Sequence, residues 1–181
     1  MRRFLSRVHE PLLPVSTASH ASEHAPARRP ARLAAGLGAG LVAAAFSLGM
    51  LLGMGRRDST VWRPLNAAAH AVLGVRADDV WGFQLDVTLV GAAVVLVVST
   101  VAGVVIAVLT TTRHTLYSAL AAFGVAIGGY LAHVHVVARA PGGLAALLTV
   151  GELRALYGAG ALALVVGMRY AFSPTAGVPP E

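Results

Sequence analysis

Five side chains expected at one membrane face, His70, His133, His135, Asp86 and Glu152, are of the types that hold a metal ion or shuttle a proton. Neutral imidazole together with carboxylate suits zinc, copper, nickel or iron. The spacing works against a compact site. His133 and His135 lie about 200° apart around a helix, so an unbroken helix aims only one of them at a shared ion. No HExxH or comparable ligand spacing occurs, and histidines at helix ends commonly bond water or backbone instead. A bis-histidine haem would need His133 paired with His70 or His114, residues that the pattern puts at unmatched depths. The same sequence has no GxSxG, P-loop or dinucleotide fingerprint. "GLGAG" at 36–40 follows no strand and reads as a helix-packing cluster. No cysteine is present, which removes thiolate metal sites and a cysteine nucleophile.

The elements that must position these groups are apolar. Of 181 residues, 56% are hydrophobic and 12% charged, about half the charged share of a soluble domain. The mean hydropathy is +0.72. Four runs of the length a bilayer requires, roughly 20 residues each, are expected as spanning helices at about 33–54, 87–110, 116–138 and 153–172. The fold class is therefore all-α integral membrane, a four-helix bundle over 33–172. Residues 1–32, rich in Ala, Pro, Arg, Ser and His, read as a disordered basic tail, and 173–181 as a C-terminal tail. The first apolar run starts too late and is too long for a cleaved leader, so it is expected to remain as an anchor.

Small residues recur every four positions. Gly36 and Gly40, then Gly49 and Gly53, mark the first span; Ser99, Gly103 and Ala107 the second; Gly124, Gly128 and Ala132 the third; Ala155, Ala159, Ala163 and Gly167 the fourth. Such stripes let helix backbones approach closely in lipid. The deepest polar groups are Ser47, Ser99, Thr100, Ser118 and Tyr130, with no ionisable residue at the helix centres.

Between the first two spans lies a more polar, patterned stretch. Pro64 suits the first turn of a helix and Gly74 its end. Asn66 and His70 then share one face at i, i+4. Trp62 and Trp81 flank this segment, and a short interfacial helix over 63–74 is expected to lie on one end of the bundle. "PLNAAAHAVLG", followed by a long apolar helix, resembles an uncharacterised family of small four-helix bacterial inner-membrane proteins. Members carry a P-[LIF]-N-A-x-[SA]-H-x-[LW]-[WL]-G segment after their first span. The likeness runs from about Arg63 to Gly167 and singles out Pro64, Asn66, His70 and Gly74. The chain departs from that pattern at Val72 and Leu73, where a Trp is common, and at His133 and His135. The resemblance implies fold and location, and no activity.

The fourteen basic residues are all arginine, against eight acids. They sit in the tail and at the ends of apolar runs, without the continuous stripe or interleaved aromatics of a nucleic-acid groove. Contact with membrane lipid is expected, and no nucleic acid. A somewhat stronger arginine flank before the first span places both termini in the cytoplasm. The expected function is non-catalytic: an accessory or structural subunit packing against other membrane proteins or itself, with no cofactor. The alternative is a small channel or transporter. A third reading is a metal- or haem-binding protein using His70, His133, His135, Asp86 or Glu152.

Overall fold

The computed structural model describes residues 29–110, 115–136 and 142–172. Among them four helices are long and apolar enough to cross a membrane. These are α1 (Arg29–Arg57), α4 (Leu85–Leu109), α5 (Thr115–His135) and α7 (Val150–Phe172). Shorter helices fill the connections: α2 (Arg63–Ala68), α3 (His70–Leu73) and α6 (Gly143–Leu147), with a 3₁₀ turn at Gly74–Ala77. No strand occurs among the described residues. The chain is an all-α, multi-pass membrane bundle. The expected tails lie largely outside the described residues, as do His114, Arg113 and Arg139.

Helix limits differ from the hydropathy limits where local chemistry extends or stops a helix. α1 starts at Arg29, four residues before the apolar run, with Pro30 in its first turn where a missing N–H costs nothing. α7 starts at Val150, three residues early, because Thr149 and Glu152 cap each other. Thr149 Oγ1 accepts from the Glu152 amide at 3.2 Å, and Glu152 Oε2 accepts from the Thr149 amide at 3.0 Å. This reciprocal T-x-x-E box satisfies two of the amides that a helix start leaves open. The expected interfacial helix is split at Ala69 into α2 and α3, and Gly74 closes α3 at φ 61°.

Around the bundle the helices run in the order α4, α1, α7, α5. α1 packs along much of its length on both α4 and α7, α5 packs on α7, and α4 and α5 touch least. Glycine makes the close approaches possible. A Cβ at Gly40 would lie 2.5 Å from Thr100 Cα, one at Gly36 2.7 Å from Ala107 Cβ, and one at Gly167 2.6 Å from Ala39 Cα. At Gly103 a Cβ would fall on the Gly36 carbonyl.

All four spans meet in a core of Ala39, Ala43, Ile106, Ala107, Ala122, Ala163, Leu164 and Met168. These residues lie toward the membrane face where α1 begins and α7 ends. At the opposite face, α2, α3, the 3₁₀ turn and α6 form a cap over the helix ends. Leu65 and Leu148 bring the cap into contact with Leu51 and Leu153 of the spans.

Candidate functional site

Among the described residues the side-chain hydrogen bonds concentrate at the cap, where two networks start from neighbouring turns. Asn66 is fully buried. Its Nδ2 donates to the carbonyls of Val80 at 3.0 Å and Gly82 at 2.9 Å, and its Oδ1 accepts from Thr88 Oγ1 at 2.8 Å. Thr88 Oγ1 in turn accepts from the Gln84 amide at 3.2 Å. One amide side chain thus ties α2 to the loop ahead of α4 and to the first turn of α4 itself. The backbone cooperates, because a Cβ at Gly91 would collide with the Leu65 carbonyl. Only glycine lets α2 lie this close across α4.

His70, one turn on, enters the second network. Its Nδ1 lies 2.8 Å from Asp78 Oδ2, and Asp78 Oδ1 accepts from the Gly143 amide at 2.9 Å. A carboxylate only accepts, so the proton of this bond sits on Nδ1. Gly142 at φ 119° and Gly143 at φ 67° shape the backbone that reaches Asp78. These left-handed conformations favour glycine, which has no Cβ to clash. The cap is therefore cross-linked: α3 to the 3₁₀ turn, and that turn to α6, 65 residues away in sequence.

The remaining candidates go elsewhere. Asp86 pairs with Arg76 at 2.6 Å on the exposed rim. Glu152 is held in its capping box and also accepts from Arg57, joining the end of α1 to the start of α7. His133 lies 3.1 Å from the Tyr157 hydroxyl and meets that ring edge-on. His135 is exposed at the end of α5. Among the described residues no three histidine or carboxylate side chains converge as a metal site would require. No two of the five sequence candidates are hydrogen-bonded or ion-paired to each other.

Inside the ring of spans, beneath the cap, lies a cavity of about 630 Å³. All four spans contribute to its lining, and α4 and α5, the neighbouring spans that touch least, both border it. Its lining is mainly Val, Ala, Leu and Gly, with Ser47, Ser99, His70, His133 and Tyr157 as its polar groups. Tyr157 also meets Tyr130 edge-on, their centroids 5.9 Å apart, and Arg154 Nε donates to the Tyr130 hydroxyl at 3.4 Å. Sequence reading did not pair His133 with Tyr157 or His70 with Asp78. The second pair is eight residues apart across a break at Gly74, and no helical periodicity connects it.

On the rim, Trp62 and Phe83 stack edge-to-face at 5.0 Å, and the Arg63 guanidinium lies 3.4 Å above the Trp81 ring. Aromatic rings with an apolar body and a polar edge suit the level of lipid headgroups.

Fold and site together define a four-span helical membrane protein with a cross-linked cap over an apolar cleft. No protein-family model, curated protein or solved structure matches this chain.

Proposed function

We propose that the chain is a non-catalytic accessory subunit of the bacterial inner membrane, packing through the outer face of α1 against another membrane protein or a second copy. The observation that carries this reading is the difference among the glycines. Gly36, Gly40, Gly103 and Gly167 are consumed in contacts within the chain. Gly38, Gly49 and Gly53 are not: a Cβ at any of them would meet nothing within 4 Å. With Ala45, which is exposed, they form a shallow strip on the side of α1 turned away from the cleft. A smooth strip of this kind accepts a partner helix at short range, where dispersion contacts drive association in lipid.

The polar networks support the same reading. Asn66, Asp78 and Glu152 are occupied in holding the cap and the helix ends. The arginine flank of α1 supports a cytoplasmic placement of both termini.

The test is native mass spectrometry of the protein extracted in mild detergent at native expression. Wild type is expected in a stoichiometric complex, with itself or with another membrane protein. Gly49→Leu combined with Gly53→Leu is expected to release it while circular dichroism and melting stay unchanged. A wild-type protein that runs alone, or a complex indifferent to the double substitution, overturns the proposal.

A further inference from the structure

We propose that the cleft between α4 and α5 is a binding site for a long-chain lipid with a single tail and an uncharged oxygen headgroup, an alcohol or a carbonyl. The site is independent of the α1 strip, which faces the other way.

Size and closure select the class of occupant. The cavity of about 630 Å³ is within the range of roughly 300–1,000 Å³ typical of small-molecule sites. A spanning helix, about 10 Å across and 30 Å long, needs several times that volume. The cap also blocks a helix from passing through, since Ala67, Ala68 and Gly143 roof the cleft. The cleft is elongated. Its lining on α4 runs from Val94 to Val105, eleven steps of the helical rise or about 16 Å. An extended alkyl chain fits that shape.

Polarity selects the headgroup. Tail positions face Val98, Val101 and Val125, and the polar end is His133 with Tyr157, near the cap. A neutral imidazole and a phenol carry one N–H and one O–H proton between them. The 3.1 Å bond between Nδ1 and the hydroxyl uses one of these. Whichever way that bond is polarised, the other proton is left over. Either the His133 Nε2–H or the tyrosine O–H remains to donate to an oxygen in the cleft. His70, with Nδ1–H committed to Asp78, lies in the same lining. No arginine lines the cleft, so a phosphate or carboxylate there would be a buried charge without a counter-ion, which is strongly unfavourable. An uncharged oxygen that accepts matches the proton left over at His133 and Tyr157. Val98 and Val101 line the cleft and are exposed on a spanning helix, so such a molecule reaches the cleft from within the bilayer.

The test uses the full chain in nanodiscs of phosphatidylethanolamine and phosphatidylglycerol, with 1-hexadecanol bearing a mid-chain diazirine as the probe. After photolysis, adducts are located by peptide mass spectrometry. The proposal expects saturable labelling at Val98, Val101 and Val125, displaced by unlabelled hexadecanol. His133→Phe keeps the ring volume and removes the donor, and is expected to weaken apparent binding about five- to tenfold. Val98→Trp, which fills the cleft, is expected to abolish cleft labelling. Melting of both variants is measured in the same nanodiscs, and His133→Gln, which restores an N–H donor, is expected to recover part of the affinity. Labelling that is unsaturable and equal at the outward residues Leu89 and Leu162 would mean bilayer contact only and overturn the site. Cross-links joining α4 and α5 of different molecules would place a protein there instead, with the same consequence. Gly49→Leu with Gly53→Leu leaves cleft labelling intact, which separates this site from the association strip.

Discussion

Asn66 shows what one buried amide can organise in a membrane protein. Its side chain satisfies two loop carbonyls and a threonine hydroxyl at once, and Asn66 and Thr88 are both buried. Asn66→Leu is therefore expected to destabilise the fold by about 1–3 kcal/mol, the range for leaving buried polar groups unpaired, as read by reversible unfolding in mixed micelles. Asn66→Asp keeps Oδ1 for Thr88 but loses both donors, and falls on the destabilised side as well. His70→Ala acts differently. It frees Asp78 from α3 while leaving its bond to Gly143, so limited proteolysis is expected to cut faster between Gly74 and Gly82, with little change in melting. Equal protease resistance in His70→Ala and wild type would remove His70 from the cap's support. The importance of Asn66 was legible in the sequence, as part of "PLNAAAH". Its partners were not, because two of them are backbone carbonyls, which any residue presents. Glu152 illustrates the opposite error. It read as a metal-ligand candidate by its chemical type, whereas the threonine three residues earlier makes it one half of a capping box.

At the level of elements, length and apolarity were enough to find four spans to within a few residues. They were not enough to orient them. Every face of α4 is apolar, from Leu89, Val97 and Val108 on the outside to Val87 and Ile106 on the inside. Hydropathy therefore carries no rotational signal for this helix. The small-residue stripes were equally visible, but spacing did not tell inward glycines from outward ones. Gly36, Gly40 and Gly103 are packed within the chain, while Gly49, Gly53, Gly124 and Gly128 are open. Gly91, the contact that seats α2, belonged to no stripe. Alanine substitution separates the two groups. Gly91→Ala drives a methyl into the Leu65 carbonyl and is expected to unseat α2, lowering stability by about 1–3 kcal/mol, as overpacking does. Gly49→Ala meets open space and is expected to be neutral or slightly stabilising, because alanine costs the helix less than glycine does. The comparison needs only the two melting curves in the same detergent. A Gly91→Ala protein as stable as Gly49→Ala would contradict the packing of α2 on α4.

For the whole molecule, an even number of spans brings the start of α1 and the end of α7 to one membrane face and the complete cap to the other. The absence of cysteine makes this directly measurable. Asp79→Cys and Ala146→Cys place single thiols on exposed cap positions from separate segments. With both termini in the cytoplasm, as proposed, an impermeant maleimide is expected to label both in intact cells. Leu109→Cys, at the far end of α4, is expected to label only after permeabilisation. Opposite behaviour of the two cap thiols would break the four-span topology, and protection of both would invert the proposed orientation.

The order of helices around the ring also sets the timing of assembly. α1 leaves the ribosome before the other three described spans, yet one of its two buried sides is covered by α7, the last of the four to be made. Until then Ala39 and Ala43 face lipid, and only the side against α4 is matched. Synthesis thus passes through a half-built stage, α1 to α4 with α2 seated on them, that waits for the second hairpin to arrive. A chain interrupted between α4 and α7 would leave that unmatched alanine surface open in the bilayer, for membrane quality control to recognise.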